Sequence, residues 1–490
     1  MGEIKKQSIN NTLISYFGAA LGMFSLYLFP QLISASDIGL LRLMYSFSWM
    51  VAVIMPLGVG SVTLRYFPKI KNDANGHHGY FALLFILCTI SAAILAFIMF
   101  ANAGFFIDYY QKSADFGKYF NESIVMAYVL SLITVFTVYS TSLYKTTFTV
   151  FLTDVFTRLL QIVLVVIYHY KVINQQQLIV LYLGVYLAQL ILLMLYLWRA
   201  GAISFAIKFD FFRQLPLKEI TLFGLLMTAT AFASLGIKFI DQLMIGHFIG
   251  SDMVGIYATC VMVTVIMEIP FNSLERIAAP KISYAWSIND KAEVNKIYEM
   301  SSRYMYFAGA VLFSLLIAGI DFILYLLPPS YQVGRTAFYF VAVSSLVNLL
   351  TGVNSSVILY SHKYFAASVF LFILIGVGAL ANYILIPLYG ITGAGMATLL
   401  AIGAFNFLKY IYIAIRFKMQ PFTKYTALIS LALLLSIIAP ILLPSSINPL
   451  LKAIIGALFT IGIFSALNIK VNVIEEVNKV FKRFGLLRKI

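Results

Sequence analysis

The chain has 490 residues, 61% of them hydrophobic and only 11% charged, with a formal net charge of +15. Soluble domains run near 45–50% apolar and about 25% charged, so a soluble globular protein is excluded. The apolar residues suffice for roughly fourteen membrane-crossing helices of about 20 residues or slightly more, and no hundred-residue stretch is free of a long apolar run.

Taken in order, the chain begins with Lys5 and Lys6 before an apolar run that is too long for a signal-peptide core and has no cleavage motif. It is expected to be span one, not a removed leader. Hydropathy predicts six spans over 10–33, 38–64, 79–103, 119–143, 148–170 and 177–199, which place an N-terminal six-helix lobe at 1–200. A linker follows at 201–218, with Lys208, Arg213, Pro216 and Lys218. A second six-helix lobe is expected at 219–417, with spans over 219–247, 253–277, 303–327, 336–359, 365–388 and 392–416. Two additional spans, 425–444 and 451–469, fill 418–469. In the last segment, 470–490, Ile474, Val477, Phe481, Phe484 and Leu487 recur at helical spacing. Lys479, Lys482, Arg483, Arg488 and Lys489 lie between them. That is the pattern of a basic amphipathic helix on a membrane surface.

The positive charge is a matter of topology. With both termini cytoplasmic, about 25 Lys and Arg fall inside and about five outside, at Lys112, Lys118, Lys171, Arg335 and Lys452. Nucleic acid is therefore not the expected partner. Tyr109, Tyr110, Tyr168, Tyr170, Tyr331 and Tyr389 near span ends are read as an interfacial belt. Cys88 and Cys260 lie in apolar runs of different segments and give neither metal-ligand spacing nor a disulfide framework. Among the histidines only the adjacent His77 and His78 could share a ligand set, and that spacing is weak.

An internal repeat emerges with the linker as divider. Gln31-Leu32, Ser36-Asp37-Ile38-Gly39, Arg65 and Pro68-Lys69-Ile70 are matched by Gln242-Leu243, Ser251-Asp252-Met253-Val254-Gly255, Arg276 and Pro280-Lys281-Ile282, at offsets of 211 to 216 residues. Six spans per unit put the two repeats in parallel orientation. Paired bundles of this kind hold a substrate site between the halves and rock about it.

A charge near the bilayer centre costs about 2.5–3.5 kcal/mol on insertion scales and by default faces the bundle interior or a water-filled cavity. At ~1.5 Å per residue, Lys238 is about 14 Å deep, Arg158 about 15 Å and Glu268 about 14 Å. Asp154 stands four residues before Arg158 and Asp241 three after Lys238, so each pair can meet on one helix face. Such pairs either ease insertion or line a cavity. Glu268 has no opposite charge at helical spacing on its own span and reads as a proton or cation site. Arg42, about four residues inside span two, either snorkels or meets an anion from the outer half. Lys409 is read as a structural, snorkelling cation. Gly390, Gly393 and Gly395 are read as close helix packing and not as a phosphate loop. No nucleotide-binding domain is present, so transport would draw on an ion gradient, the membrane potential or downstream consumption. A membrane polymerase or transferase would need a platform for paired carboxylates, and the longest outside loop carries only Asp108 and Asp115. An enzyme is therefore not expected.

Asn382, Ile386-Pro387, Tyr389-Gly390, Gly393-Ala394-Gly395 and Ala397-Thr398 resemble the segment typical of polysaccharide-export flippases. These form part of the multidrug/oligosaccharidyl-lipid/polysaccharide (MOP) exporter superfamily. Asp241, Gly246, Ser251, Val254-Gly255 and Tyr257 resemble the same family, as does Asp37-Ile38-Gly39. The resemblance implies an all-α integral membrane protein of the bacterial inner membrane that flips a polyprenyl-diphosphate-linked oligosaccharide, such as an O-antigen or capsule repeat unit. It implies two six-helix lobes around a cavity with two extra helices alongside. In that setting Arg42, Arg158 and Lys238 would bind the diphosphate. Asp154, Asp241 and Glu268 would set the cavity field or bind a coupling H+ or Na+, and no cofactor is called for. The expected partners are the lipid-linked oligosaccharide, membrane lipid, and a glycan polymerase and export complex. The lack of a denser arginine cluster makes the peptidoglycan-precursor flippase branch the less expected one. A cation-coupled drug exporter of the same fold is the nearest alternative, followed by a glycan polymerase and a non-transporting scaffold.

Overall fold

In hydrocarbon, every backbone N–H and C=O must find a partner within the protein, and helices achieve this segment by segment. The computed structural model describes residues 2–444 and 447–474, and among them no β-strand occurs. Among the described residues twelve helices are long and apolar enough to cross a membrane. One of them, Phe365–Phe417, has 53 residues, about 80 Å at the α-helical rise, more than twice the thickness of a bilayer core. It folds back at Gly390 (φ 61°, ψ −141°), a conformation open to glycine alone. Beyond the turn Gly393 packs on the backbone of Leu385, and Gly378 faces Ala401. Residues eight and 23 apart meet only if two arms run antiparallel, so this helix contributes spans eleven and twelve. With the shorter apolar helix Lys424–Leu442 as span thirteen, the described residues form an all-α membrane protein with fourteen spans.

The chain divides into two compact units, Met1–Ala258 and Thr259–Ile490. The first contains spans one to six (Asn10–Leu32, Ala35–Ile54, Asn75–Ala101, Phe120–Ser142, Thr147–His169, Gln175–Arg199), span seven (Leu217–Phe248) and the start of span eight (Ser251–Ser287). Span two is its central post, packed against spans four and seven, with Leu40, Leu43, Met44 and Phe47 buried. Hydropathy alone predicts span two to run on to residue 64. In fact the helix stops at Ile54 and resumes as Val59–Ile70, because Pro56 lacks a donor and Leu57 and Gly58 turn left-handed (φ 45° and 74°). The linker docks on the loop after span two: Lys208 N donates to His78 O at 3.1 Å, and the His78 ring stacks on Phe211 at 3.9 Å. His77 Nδ1 accepts from Asn72 N at 3.2 Å. Both rings of the adjacent histidine pair thus serve packing and loop structure.

The second unit is built on span nine (Lys291–Tyr325), which packs against span ten (Arg335–Leu350, continued as Asn354–Leu359) and against spans thirteen and fourteen (Pro449–Val471). Asp321 binds Arg335 at 2.8 Å and Lys452 at 3.1 Å, tying the additional hairpin to spans nine and ten. Tyr170 and Tyr389 are exposed, as an interfacial belt requires, but Tyr110 and Tyr331 pack inside. The amphipathic tail lies outside the described residues from 475 onward.

Candidate substrate-translocation site

Span two starts where Ser34 caps it, accepting from Asp37 N at 3.1 Å and donating to Asp37 Oδ2 at 2.7 Å. Gln175 Nε2 and Tyr168 OH also donate to the Asp37 carboxylate, at 3.0 and 3.3 Å. The aspartate of the repeated motif is thus a helix-start anchor. The two copies of that motif meet face to face. A Cβ on Gly39 would overlap the carbonyl of Ser251, and a Cβ on Gly255 would overlap the carbonyl of Ala35. Ser36 and Ser251 approach to 3.4 Å. Ala35 and Ser251 are related by the same 216-residue offset as Gly39 and Gly255, so the contact is reciprocal, as a two-fold axis demands.

Two turns beyond this contact, span two and span seven are joined by Ser46 Oγ donating to Gln242 Oε1 at 2.8 Å. Asp241, beside Gln242, accepts from Tyr257 OH at 2.6 Å. Two members of the sequence motif that lie 16 residues apart are therefore bonded to each other.

Arg42 lies seven residues past Ala35, about 10 Å into span two at the α-helical rise. The helix begins three residues earlier than hydropathy suggests, so Arg42 is two turns deep and not at the edge. Arg42 and Arg158 both act electrostatically on the Tyr45 hydroxyl, and Arg42 also acts on Tyr182 and Tyr186. The Tyr45 ring contacts Trp49, Tyr186 and Phe239 at centroid distances of 6.0 to 6.2 Å. Lys238 Nζ lies 5.7 Å from the Phe239 ring and its side chain is exposed along span seven. Gln161 Nε2 donates to Tyr186 OH at 3.0 Å, and Tyr182 OH lies 3.3 Å from Tyr186 OH. Spans two, five, six and seven thus build an aromatic and hydroxyl-rich wall, with Lys238 at its Phe239 end and Arg42 and Arg158 within electrostatic range of it. Tyr45, Gln161, Tyr182 and Tyr186 were not expected from sequence, because a tyrosine inside an apolar run reads as packing.

Span five is not a plain α-helix. Leu152–Phe156 widens to a π-helical turn, the kind of bulge that recurs at functional sites. Thr157 Oγ1 donates to the Leu152 carbonyl at 2.8 Å and to Gln189 Oε1 at 3.1 Å, which satisfies the bulge from span six. The expected Asp154–Arg158 pair on one helix face does not form among the described residues. Asp154 instead accepts from Ser15 Oγ at 2.7 Å, and Arg158 Nη1 donates to the Gly18 carbonyl. Gly18 and Gly22 make this possible. A Cβ on Gly18 would overlap the Asp154 backbone, and one on Gly22 the Arg158 guanidinium. The π turn changes the angular register on which i,i+4 pairing depends, and span one fills the gap.

Glu268 belongs to the second unit. Span eight tightens to a 3-10 turn at Val263–Met267, and Glu268 opens the α-helix that follows, with its side chain exposed. Lys409, read as snorkelling, is 2% exposed. Its Nζ donates to Asn354 Oδ1 at 2.7 Å and Ser355 Oγ at 2.9 Å. Fixed internal acceptors hold it, so it does not reach for the surface. Among the described residues, no three His, Cys, Asp or Glu come together as a metal site.

No protein-family model matches the chain, and no curated sequence matches it at a significant level. Solved structures do. The lipid II flippase MurJ, in an inward closed conformation, matches with a TM-score of 0.76 at 12% identity, covering 94% of this chain and 98% of that one. An inward-facing MATE-family multidrug resistance transporter of the MOP superfamily matches at 0.65 and 12% identity, covering 80% and 94%. A MOP superfamily transporter from Pyrococcus furiosus matches at 0.57 and 13% identity, covering 85% and 95%. The chain is therefore a multi-pass membrane protein with the fold of MOP-superfamily transporters and flippases.

Proposed function

We propose that the protein is a flippase of the MOP superfamily that moves a polyprenyl-diphosphate-linked oligosaccharide across the bacterial inner membrane by alternating access, for surface-polysaccharide export. Both termini are cytoplasmic in this reading. The observation that carries it is the hydroxyl-bearing wall of Tyr45, Tyr182 and Tyr186 on spans two and six, with Arg42 and Arg158 within electrostatic range of it. A diphosphate enters hydrocarbon only where cationic donors replace its hydration, and arginine does so bidentately. Arg42 and Arg158 grip the diphosphate, and Lys238, exposed along span seven, adds a third cation. Tyrosine and glutamine side chains offer hydrogen bonds to the first sugar. Asp154 orients span one through Ser15. Asp241, bonded to Tyr257, and Glu268, at the break in span eight, are the sites for a coupling H+ or Na+. The fold is shared with drug exporters, so the substrate reading rests on these cations and on the resemblance of the spans-eleven-and-twelve motif.

Binding to the purified protein tests this. A fluorescent polyprenyl-diphosphate oligosaccharide should bind the wild type and be displaced by unlabelled polyprenyl diphosphate, with polyprenyl monophosphate at least about tenfold weaker, since one lost charge-assisted contact costs about 1.5–3 kcal/mol. Displacement by the organic cation tetraphenylphosphonium instead would favour the drug-exporter reading.

A further inference from the structure

One part of the internal repeat has no role in the translocation wall: Arg65 with Pro68-Lys69-Ile70, and its second copy, Arg276 with Pro280-Lys281-Ile282. In each copy the isoleucine is buried while the arginine and the lysine are exposed. The first copy lies on Val59–Ile70, the segment of span two past the Pro56 turn, at the end away from the Gly39–Gly255 contact. That end is cytoplasmic in the reading proposed above. Arg65 and Lys69, four residues apart, share one helix face.

There the segment meets the start of span seven, whose first turn carries Glu219. Arg65 Nη2 lies 3.7 Å from Glu219 Oε1, and Tyr66 OH donates to the same oxygen at 3.1 Å. The Arg65 guanidinium also stands 4.5 Å from the centroid of the Phe223 ring, and Lys69 Nζ 5.9 Å from that of Tyr66. Tyr66 is 5% exposed, whereas the Arg65 and Glu219 side chains are 52% and 61% exposed. Glu219 thus marks a position for an anionic oxygen, served by a buried hydroxyl and by a guanidinium open to solvent. At 3.7 Å the ion pair is longer than a charge-assisted hydrogen bond, so the guanidinium donors are not spent on the carboxylate.

The preference of basic residues for the inner side of a membrane accounts for Arg65 and Lys69. It does not account for a carboxylate and a buried tyrosine hydroxyl meeting beside them. Stability does not account for it either, since an exposed ion pair contributes little. A phosphate group has the oxygens to engage the guanidinium with two bonds and still face Lys69.

We propose that Arg65, Lys69 and the Tyr66 hydroxyl form an entry site for the diphosphate of the incoming lipid, with Glu219 holding the anion position until a phosphate oxygen takes it. The inference rests on the diphosphate reading of the substrate and adds a station ahead of Arg42 and Arg158.

Association and dissociation rates of the fluorescent polyprenyl-diphosphate oligosaccharide on the purified full chain test it. A charge at the rim of a site acts on association, and one inside it on dissociation. Arg65→Gln should slow association about two- to fivefold, the range open to an exposed ion pair, and leave dissociation unchanged. Lys69→Gln should slow it less, and Glu219→Gln should speed it by a factor like that of Arg65→Gln. In the Arg65→Gln background Glu219→Gln should add nothing, because the two act as one pair. Asp210→Asn, which removes an exposed carboxylate from the linker, should change nothing. All these side chains are exposed, so the variants keep the fold. Additive effects of Arg65→Gln and Glu219→Gln, or equal acceleration by Asp210→Asn, would reduce the residues to a diffuse field and overturn the entry site. Wild-type association by Arg65→Gln would overturn it too, while leaving the substrate reading in place. A wild type that binds no polyprenyl-diphosphate lipid would end both.

Discussion

Spans two and eight occupy equivalent places in the internal repeat, about 210 residues apart, and both are broken near mid-span by different devices. In span two the break is a Pro56-Leu57-Gly58 turn with two left-handed residues, and Gly58 is pressed against the Gly224 carbonyl of span seven. In span eight the chain only tightens, from α to 3-10 over Val263–Met267, and no residue there has a positive φ. The first break is covalent and steric in origin, since Pro56 cannot donate and Gly58 has no room for a side chain. The second is a change of hydrogen-bond register that costs little to reverse. Span two is thus expected to be a fixed bend and span eight an adjustable one, and Glu268 stands at the exit of the second break. At their starts the two spans share the reciprocal Gly39–Gly255 contact.

The largest effect is expected where the two repeats touch. Gly39→Leu puts a side chain into the Ser251 carbonyl. Overpacking costs about 1–3 kcal/mol, and transport should fall by about a hundredfold. Cys88 and Cys260 are both buried, so Ser36→Cys can be labelled selectively. It should react with an impermeant maleimide much faster in the Gly39→Leu background than alone. Equal labelling would mean that the contact does not hold the two spans together.

Arg158→Gln comes next. Loss of one charge-assisted pair with a diphosphate corresponds to about 1.5–3 kcal/mol, so binding of the labelled lipid should weaken by about ten- to a hundredfold. Lys238→Ala, with its exposed side chain, should slow translocation less and leave insertion intact. Wild-type translocation by Lys238→Ala would remove it from the mechanism.

Gly58→Ala tests the fixed bend directly. The αL penalty for a residue with Cβ is roughly 1–2 kcal/mol, and the clash with Gly224 adds to it, so the unfolding temperature should drop by a few degrees. Ile266→Val in the adjustable bend should change it little, and a comparable drop would erase the distinction. The smallest effect belongs to Tyr257→Phe. It removes the 2.6 Å bond to Asp241 and should change the dependence of transport on the coupling cation by a few-fold, with the maximal rate nearly unchanged.

The spans were legible from hydropathy because their apolar runs are long. The breaks were not. A window averaged over a span cannot register Val263–Met267 or Leu152–Phe156, where every residue type suits an α-helix. Pro56-Leu57-Gly58 carried a written signal, masked by the apolar residues around it. The repeated Ser-Asp motif was visible as a pattern, while its meaning, a two-fold contact of two glycines, needed the third dimension. The cost of burying charge pointed to Arg42, Arg158, Lys238, Asp154, Asp241 and Glu268. It did not reveal that Asp154 and Arg158 would turn to span one, because that depends on the π turn and on Gly18 and Gly22. Lys409 was misjudged for a related reason. Its distance from the span end suited snorkelling, but its acceptors come from a break in span ten that no periodicity displays.

Translocation itself is the most direct test of the central claim, that paired arginines at membrane depth carry a diphosphate-linked lipid. The protein would be reconstituted into sealed liposomes with a fluorescent polyprenyl-diphosphate oligosaccharide, and the fraction of label open to an external quencher followed over time. The account predicts protein-dependent equilibration by the wild type, near-background rates in Arg158→Gln, and no effect of either on movement of a neutral-headgroup lipid. Wild-type rates in both Arg42→Gln and Arg158→Gln, or no movement by wild-type protein beside an active control flippase, would contradict it.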